Sequence, residues 1–371
     1  MPRDSASNDS PPDDADLTRR IAATLALVLV ADALFVAVVA YLLRPWFLPI
    51  VGGQAEGLSG VAWVALVAPA TLGLAWAQLR YTRREALATA DARPVSEDAF
   101  PDLHARVRRL AQTADVTPPA LAVAETDVPN SFTVGDLRGG TIVVSSGLLD
   151  ALSEAELDAV LAHELAHLRN RDAAVMTLAT FLPALANDDY SMVGDSGGPS
   201  RTLALGVAAV VGYAVSTSLV SAPPFSAASL LAFGGFAVFS ALFGGVALGL
   251  LALPVVALSG RLSRYREFAA DRAGALLAGD PAAMASALET LDGDAPARPT
   301  VDARAGARSD GTRAGGVREL CFLPHGIVRR EESPDGDPLA GLPVAEATHP
   351  PTAERVARLR DLAAEGPESY R

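Results

Sequence analysis

His163 and His167 stand four residues apart in Leu161-Ala162-His163-Glu164-Leu165-Ala166-His167, with Glu164 directly after the first. In a helix, residues i and i+4 share a face, so imidazoles at this spacing can grip one metal ion. A glutamate beside them is placed to take a proton from a water that the metal activates. This H-E-x-x-H pattern is the constellation of zinc-assisted peptide hydrolysis. The competing interpretation is two solvated histidines and a surface glutamate on an ordinary amphipathic helix. A catalytic zinc needs three protein ligands and one open position, so another residue must join them. The chain has five histidines, His104, His163, His167, His325 and His349, and a carboxylate would serve equally.

The elements around the motif must be helical for this to work. Ser153-Glu154-Ala155-Glu156 reads as a capping box that opens a helix just upstream. Leu157, Val160, Leu161 and Leu168 then recur at helical spacing. The best candidate for the third ligand is Glu267, in Arg264-Tyr265-Arg266-Glu267-Phe268-Ala269-Ala270-Asp271. Glu267 and Asp271 are again i and i+4. Glu267 can ligate while Asp271 bonds the far nitrogen of a ligand histidine and fixes its tautomer. The alternative for Glu267 is an ion-paired residue among arginines. It follows His167 by a hundred residues, and that gap needs an explanation.

Four apolar runs supply one. Residues 21–43 are apolar except for Asp32; 58–79 contain Pro69; 203–222 are a third run; 229–258, with Pro254, are a fourth. Each is long enough to cross a bilayer core as a helix. A cleaved signal peptide is the alternative for the first run, but a polar, acidic segment precedes it. The last two runs, taken as a membrane hairpin, leave one side of the bilayer and return to it. The helix before and the helix after the hairpin then meet at the membrane surface. Arginines set the orientation. Arg19, Arg20, Arg80, Arg83, Arg84, Arg201, Arg261, Arg264 and Arg266 flank the runs, whereas the connector 44–57 carries only Arg44 and the connector 223–228 none. The N-terminus, residues 80–202 and residues 259–371 are therefore expected in the cytoplasm. An intramembrane carboxyl such as Asp32 should pair or face the bundle interior.

Composition agrees. Half of the 371 residues are hydrophobic, and net charge is −13, from 43 acidic and 30 basic residues. Mean hydropathy is +0.27. All 30 basic residues are arginine. An acidic, lysine-free surface suits a cytoplasm at high salt, where screening mutes self-repulsion; a genome that favours arginine codons gives the same bias. Either way, nucleic acid is excluded as a partner. The single cysteine, Cys321, rules out an intramolecular disulfide. Elsewhere, 97–114 and 352–364 read as helices, 120–125 and 141–145 as strands. Residues 1–18 read as a disordered tail, 187–200 as a polar loop and 292–318 as a flexible linker.

Four blocks occur in order: PNSFTVG at 129–135, LAHELAHLRNRD at 161–172, REFAADRAGA at 266–275 and THPPTAERVARL at 348–359. Together they resemble the HtpX-type integral-membrane zinc metalloproteases, relatives of the CAAX prenyl endoproteases. The resemblance implies zinc held by His163, His167 and Glu267, Glu164 as general base, and Asp271 supporting a ligand. It implies that His349 and Arg355 stabilise the oxyanion or order the site. It implies that Asn130 contacts the substrate backbone near an edge strand; the alternative is an asparagine chosen for a turn. Asp172 is either a supporting residue or a helix-end charge.

The expected fold is a mostly α membrane protein: four transmembrane helices with a cytoplasmic α+β zincin-like domain of the gluzincin type. The expected organisation is a tail (1–18), a first transmembrane hairpin (19–80), the first part of the protease domain (81–200) and a second hairpin (201–258). A cytoplasmic helix with the third ligand (259–291), the linker (292–318) and the C-terminal part (319–371) follow. The expected activity is zinc-dependent endoproteolysis at the membrane surface, on polypeptides such as misfolded membrane proteins, under stress. The rival interpretations are a non-proteolytic metal-binding membrane scaffold and a CAAX-type endoprotease acting on lipidated peptides. Oligomeric state is not legible.

Overall fold

The computed structural model describes residues 14–47, 59–135, 139–171, 175, 199–220, 223–293, 320–323, 327 and 349–365. Two long helices come first: α1 (Asp14–Phe47) and α2 (Gly60–Thr89). Thr18–Arg44 and Gly60–Thr89 are each long and apolar enough to span a bilayer. Large apolar side chains stay on their outside, Val30, Leu34 and Phe35 on α1 and Val61, Val64 and Trp76 on α2. Such a surface is costly in water and suited to lipid. Their inner faces carry the polar exception: Gln78 Nε2 donates to Asp32 Oδ1 at 3.0 Å, and both side chains are buried. Asp32 thus faces the bundle interior, as a carboxyl in a span must.

The far end of α2 continues into the catalytic domain. Arg83 donates to Thr141 Oγ1 at 2.9 Å, and Ala86 and Ala90 pack under a four-stranded sheet. Its strands are β1 (Ala92–Pro94), β2 (Ala120–Ala124), β3 (Ser131–Gly135) and β4 (Gly140–Ser145), in the order β1-β2-β4-β3. β2 and β4 are parallel, and the outer pairs are antiparallel, with Phe132 opposite Val143. Strand alternation sends Leu121, Val123, Ile142 and Val144 into one core with α3 (Pro101–Thr113) and α5 (Glu154–Arg169). It sends Ala122, Phe132, Val134 and Val143 into the other, against α2. A short helix, α4 (Ser146–Ala151), links β4 to α5. The capping box forms: the backbone N–H of Ser153 donates to Glu156 Oε2 at 2.9 Å.

The remaining helices are α6 (Pro199–Val220), α7 (Ala227–Ala278), α8 (Pro281–Gly293) and α9 (Thr352–Glu365). One boundary differs from expectation. The fourth apolar run and the helix of Glu267 are one continuous α7 of 52 residues, rather than a span followed by a separate helix over 259–291. Nothing in Arg261–Ala278 halts a helix, and α7 ends only at Gly279, whose φ of 75° makes a left-handed cap. Pro281 then starts α8, which is pre-set for a first helical turn. The helix of α1 also begins at Asp14, inside the expected tail. The rest of that tail, Asp172, His325, residues 187–198 of the polar loop and 294–318 of the linker lie outside the described residues. Strand β1 was not anticipated, because three residues with Pro94 carry no alternation to detect.

Candidate active site

α5 carries the motif across the sheet, and all of His163, Glu164 and His167 are buried, at 0%, 1% and 6% exposure. α7 packs along α5, and the approach is close at Gly274. A Cβ there would lie 2.7 Å from the backbone nitrogen of His163 and 2.8 Å from its Cα, so only glycine admits this contact. The approach brings Glu267, one helical stretch away, to the histidines. His163 Nε2 is 3.0 Å from His167 Nε2 and 3.6 Å from Glu267 Oε2. His167 Nε2 is 3.7 Å from Glu267 Oε1. Ligand atoms around a tetrahedral zinc lie about 3.3 Å apart, so these donors fit one ion. Among the described residues, these three form the only such cluster of histidine, cysteine or carboxylate atoms. Glu267 Oε1 accepts from Arg266 at 2.9 Å, whereas Oε2 is buried without a hydrogen bond. A buried carboxylate oxygen left unbonded is costly, and a cation between it and the two imidazoles would satisfy it.

Asp271 lies one turn beyond Glu267. Its Oδ1 is 3.0 Å from His163 Nδ1, close enough that a proton on Nδ1 would be favoured and would leave the Nε2 lone pair for the other donors. Arg355 clamps the same carboxylate, with Nε to Oδ2 at 2.7 Å and Nη2 to Oδ1 at 2.6 Å. Its third nitrogen, Nη1, donates to the Phe322 carbonyl at 2.8 Å. Arg355 is 1% exposed, and these bonds commit its guanidinium to Asp271 and the Phe322 carbonyl. Burial would lift the Asp271 carboxyl, but Arg355 and His163 outweigh it and hold the group below its usual range. Glu267 behaves likewise: burial pushes up, and His167, Arg266, His349 and Arg355 together push it further down.

Asn130 is 0% exposed and already committed. Its Nδ2 donates to the Leu323 carbonyl at 3.0 Å, and its Oδ1 accepts from Leu323 N at 3.1 Å and from Ser131 N at 3.0 Å. It fastens residues 320–323 to the start of β3, where Phe322 N donates to Ser131 O at 2.8 Å and Cys321 bridges Phe132. β3 is an edge strand, but its first two residues are covered by the chain itself. The Phe322 ring meets His163 edge-on at 4.8 Å. Sequence reasoning missed Gly274, Phe322, Ser131 and Thr133. Of these, only the hydroxyl pair left a signal, as two polar residues two apart in an otherwise apolar strand.

The pattern of Peptidase family M48 matches residues 97–363. The chain belongs to peptidase family M48. Relatives agree over most of their length. Protease HtpX homolog 1 of Streptomyces coelicolor is 35% identical over 302 residues, 78% of this chain and 80% of its own. Protease HtpX homolog 2 of Methanosarcina mazei is 32% identical over 292 residues, 77% of this chain and 81% of its own. The Protease HtpX homolog of Halobacterium salinarum is 31% identical over 318 residues, 83% of this chain and 92% of its own. The HtpX-type resemblance therefore holds, and this M48 chain is a membrane-associated metalloprotease. Neither the scaffold nor the CAAX-type alternative is favoured by these matches.

Proposed function

We propose that this M48 protease is a zinc endopeptidase with His163, His167 and Glu267 as its ligands and Glu164 as its general base. The observation that carries this is the convergence of two imidazole nitrogens on one buried carboxylate, His163 Nε2 on Oε2, which makes no hydrogen bond, and His167 Nε2 on Oε1. Two histidines and a carboxylate are the donor set of many hydrolytic zinc sites. Bound zinc would polarise the scissile carbonyl and make a water acidic. Glu164 takes that water's proton and delivers it to the leaving amine. Asp271 holds His163, Arg355 holds Asp271, and His349 supplies positive charge near the ligands, where oxyanion charge develops. Asn130 keeps the start of β3 in place, and an extended substrate would add along the rest of that edge.

Four spans fit the four apolar runs, with α6 and the apolar part of α7 as the second pair. The arginine-rich ends converge on one side. Arg20 at the start of α1 stacks over Tyr265 of α7 at 4.3 Å, and Arg83 at the end of α2 reaches the sheet. By the positive-inside rule that side is cytoplasmic. A site at the membrane surface suits misfolded or cleaved membrane proteins as substrates, which fits a role in quality control.

The test is casein digestion and self-cleavage by detergent-purified protein in high salt, after chelation and with zinc restored. Cleavage that returns with zinc and is absent from Glu164→Gln supports the assignment. Zinc-independent cleavage, or full activity of Glu164→Gln, rejects it.

A further inference from the structure

Glu164 does not lie loose beside the histidines. Ser131 Oγ donates to its Oε1 at 2.6 Å, and Thr133 Oγ1 donates to its Oε2 at 2.6 Å. All three side chains are buried, with Ser131 at 0%, Thr133 at 3% and Glu164 at 1% exposure. We propose that Ser131 and Thr133 are positioning residues for the general base, two hydroxyls on one strand that fix both oxygens of one carboxylate.

The geometry follows from strand periodicity. Residues two apart on a strand point to the same face. The face of β3 that carries Ser131 and Thr133 lies beside Ile142 and Val144 of β4, and that face is the one covered by α5. The intervening Phe132 and the following Val134 point into the opposite core. An apolar pair at 131 and 133 would pack against α5 equally well. Hydroxyls are needed there only if something on α5 must be held. Glu164 is that group: a buried carboxylate has to find donors, and O–H···O⁻ bonds at this length are among the stronger ones.

The strand that carries the donors is itself held. Ser131 N donates to Asn130 Oδ1, and Ser131 O accepts from Phe322 N. Segment 320–323 and Asn130 thus determine where the Ser131 hydroxyl stands. Each carboxylate oxygen accepts one hydroxyl and keeps a second lone pair, so the bonds orient Glu164 without using up its capacity to take a proton. A base held in one rotamer loses no entropy at the moment of transfer.

This inference rests on Glu164 being the base, and the experiment separates the two. Ser131→Ala/Thr133→Val is compared with wild type for kcat, KM and zinc stoichiometry. We expect kcat to fall about 10- to 100-fold, with KM within about twofold and zinc retained. Ser131→Thr and Thr133→Ser, which keep a hydroxyl, should recover most of kcat. A second readout needs neither zinc nor substrate. In metal-free protein, the Tm loss on removing the hydroxyls should be larger with Glu164 present than in a Glu164→Gln background, by a few °C. The single variants Ser131→Ala and Thr133→Val serve for both readouts if the double variant does not fold. A kcat within about twofold of wild type, a loss that the hydroxyl-keeping variants do not repair, or additive Tm changes would overturn the positioning role. An active Glu164→Gln would instead remove the base assignment, and the Tm coupling would still report on the hydroxyls.

Discussion

Glu164→Gln keeps the shape of the side chain and removes its ability to take a proton. Turnover should fall at least ~100-fold, while zinc stays bound, because the proposed ligands are His163, His167 and Glu267. Metal analysis beside a peptide assay checks this; loss of zinc along with activity would count against Glu164 as base. Arg355 should behave differently. Arg355→Met leaves Asp271 ionised, buried and without its fork of donors, at a cost of about 3–5 kcal/mol. Arg355→Lys should restore only part, since an ammonium cannot make the paired contact. The acid stability of metal-free protein follows from the same pair. The Asp271 carboxyl is held low by Arg355 and His163 against the opposing effect of burial. Its contribution is therefore complete above the unfolded value of about 3.9 and is lost as pH falls through the lower folded value. The Tm gap between wild type and Asp271→Asn should shrink on acidification below about pH 4. A gap that widens there contradicts the ion pair.

Between elements, the decisive contact is α5 against α7. Gly274 lets His163 and Glu267 come close enough to hold one ion as proposed, since the nearest atoms that a Cβ at that position would strike are backbone atoms of α5. Gly274→Ala should push the helices apart, cost about 1–3 kcal/mol, and weaken zinc binding by about tenfold or more. Competition with a chromophoric chelator measures it; an unchanged affinity would mean that the helices yield elsewhere. The sequence pointed to Glu267 through its i, i+4 partner Asp271. It could not show that the apolar run and the ligand helix are one rod, because only the absence of a break says so.

At the scale of the whole chain, the site is held between long apolar helices and the sheet. α2 runs from its apolar stretch straight into the sheet through Arg83 and Ala86, and α7 runs from an apolar stretch into Glu267. Zinc bound at this junction should stabilise all of it. At free zinc a hundredfold above Kd, the gain is about 2.7 kcal/mol, so chelation should lower Tm and zinc should return it. Orientation is testable with single cysteines, since native Cys321 is buried. A membrane-impermeant maleimide should label Gln54→Cys on intact cells and Asp98→Cys only after permeabilisation. The reverse pattern would turn the protein over in the bilayer.

The sequence by itself pointed to the candidate site residues. His163, Glu164 and His167 are local, fixed by helical period, and Asp271 and Glu267 repeat that spacing. The apolar runs, helix 101–113 and strands β2 and β4 were legible for the same reason, since period and length are properties of short segments. Tertiary structure alone decided the contacts between distant segments. It gave Asp32 its partner in Gln78, turned Arg355 onto Asp271, spent the amide of Asn130 on Leu323, and brought Ser131 and Thr133 under Glu164. Each of these joins residues 31 or more positions apart. Such pairs leave no period in the sequence; they exist because buried polar groups must be satisfied wherever the packing of helices and sheet happens to bring them.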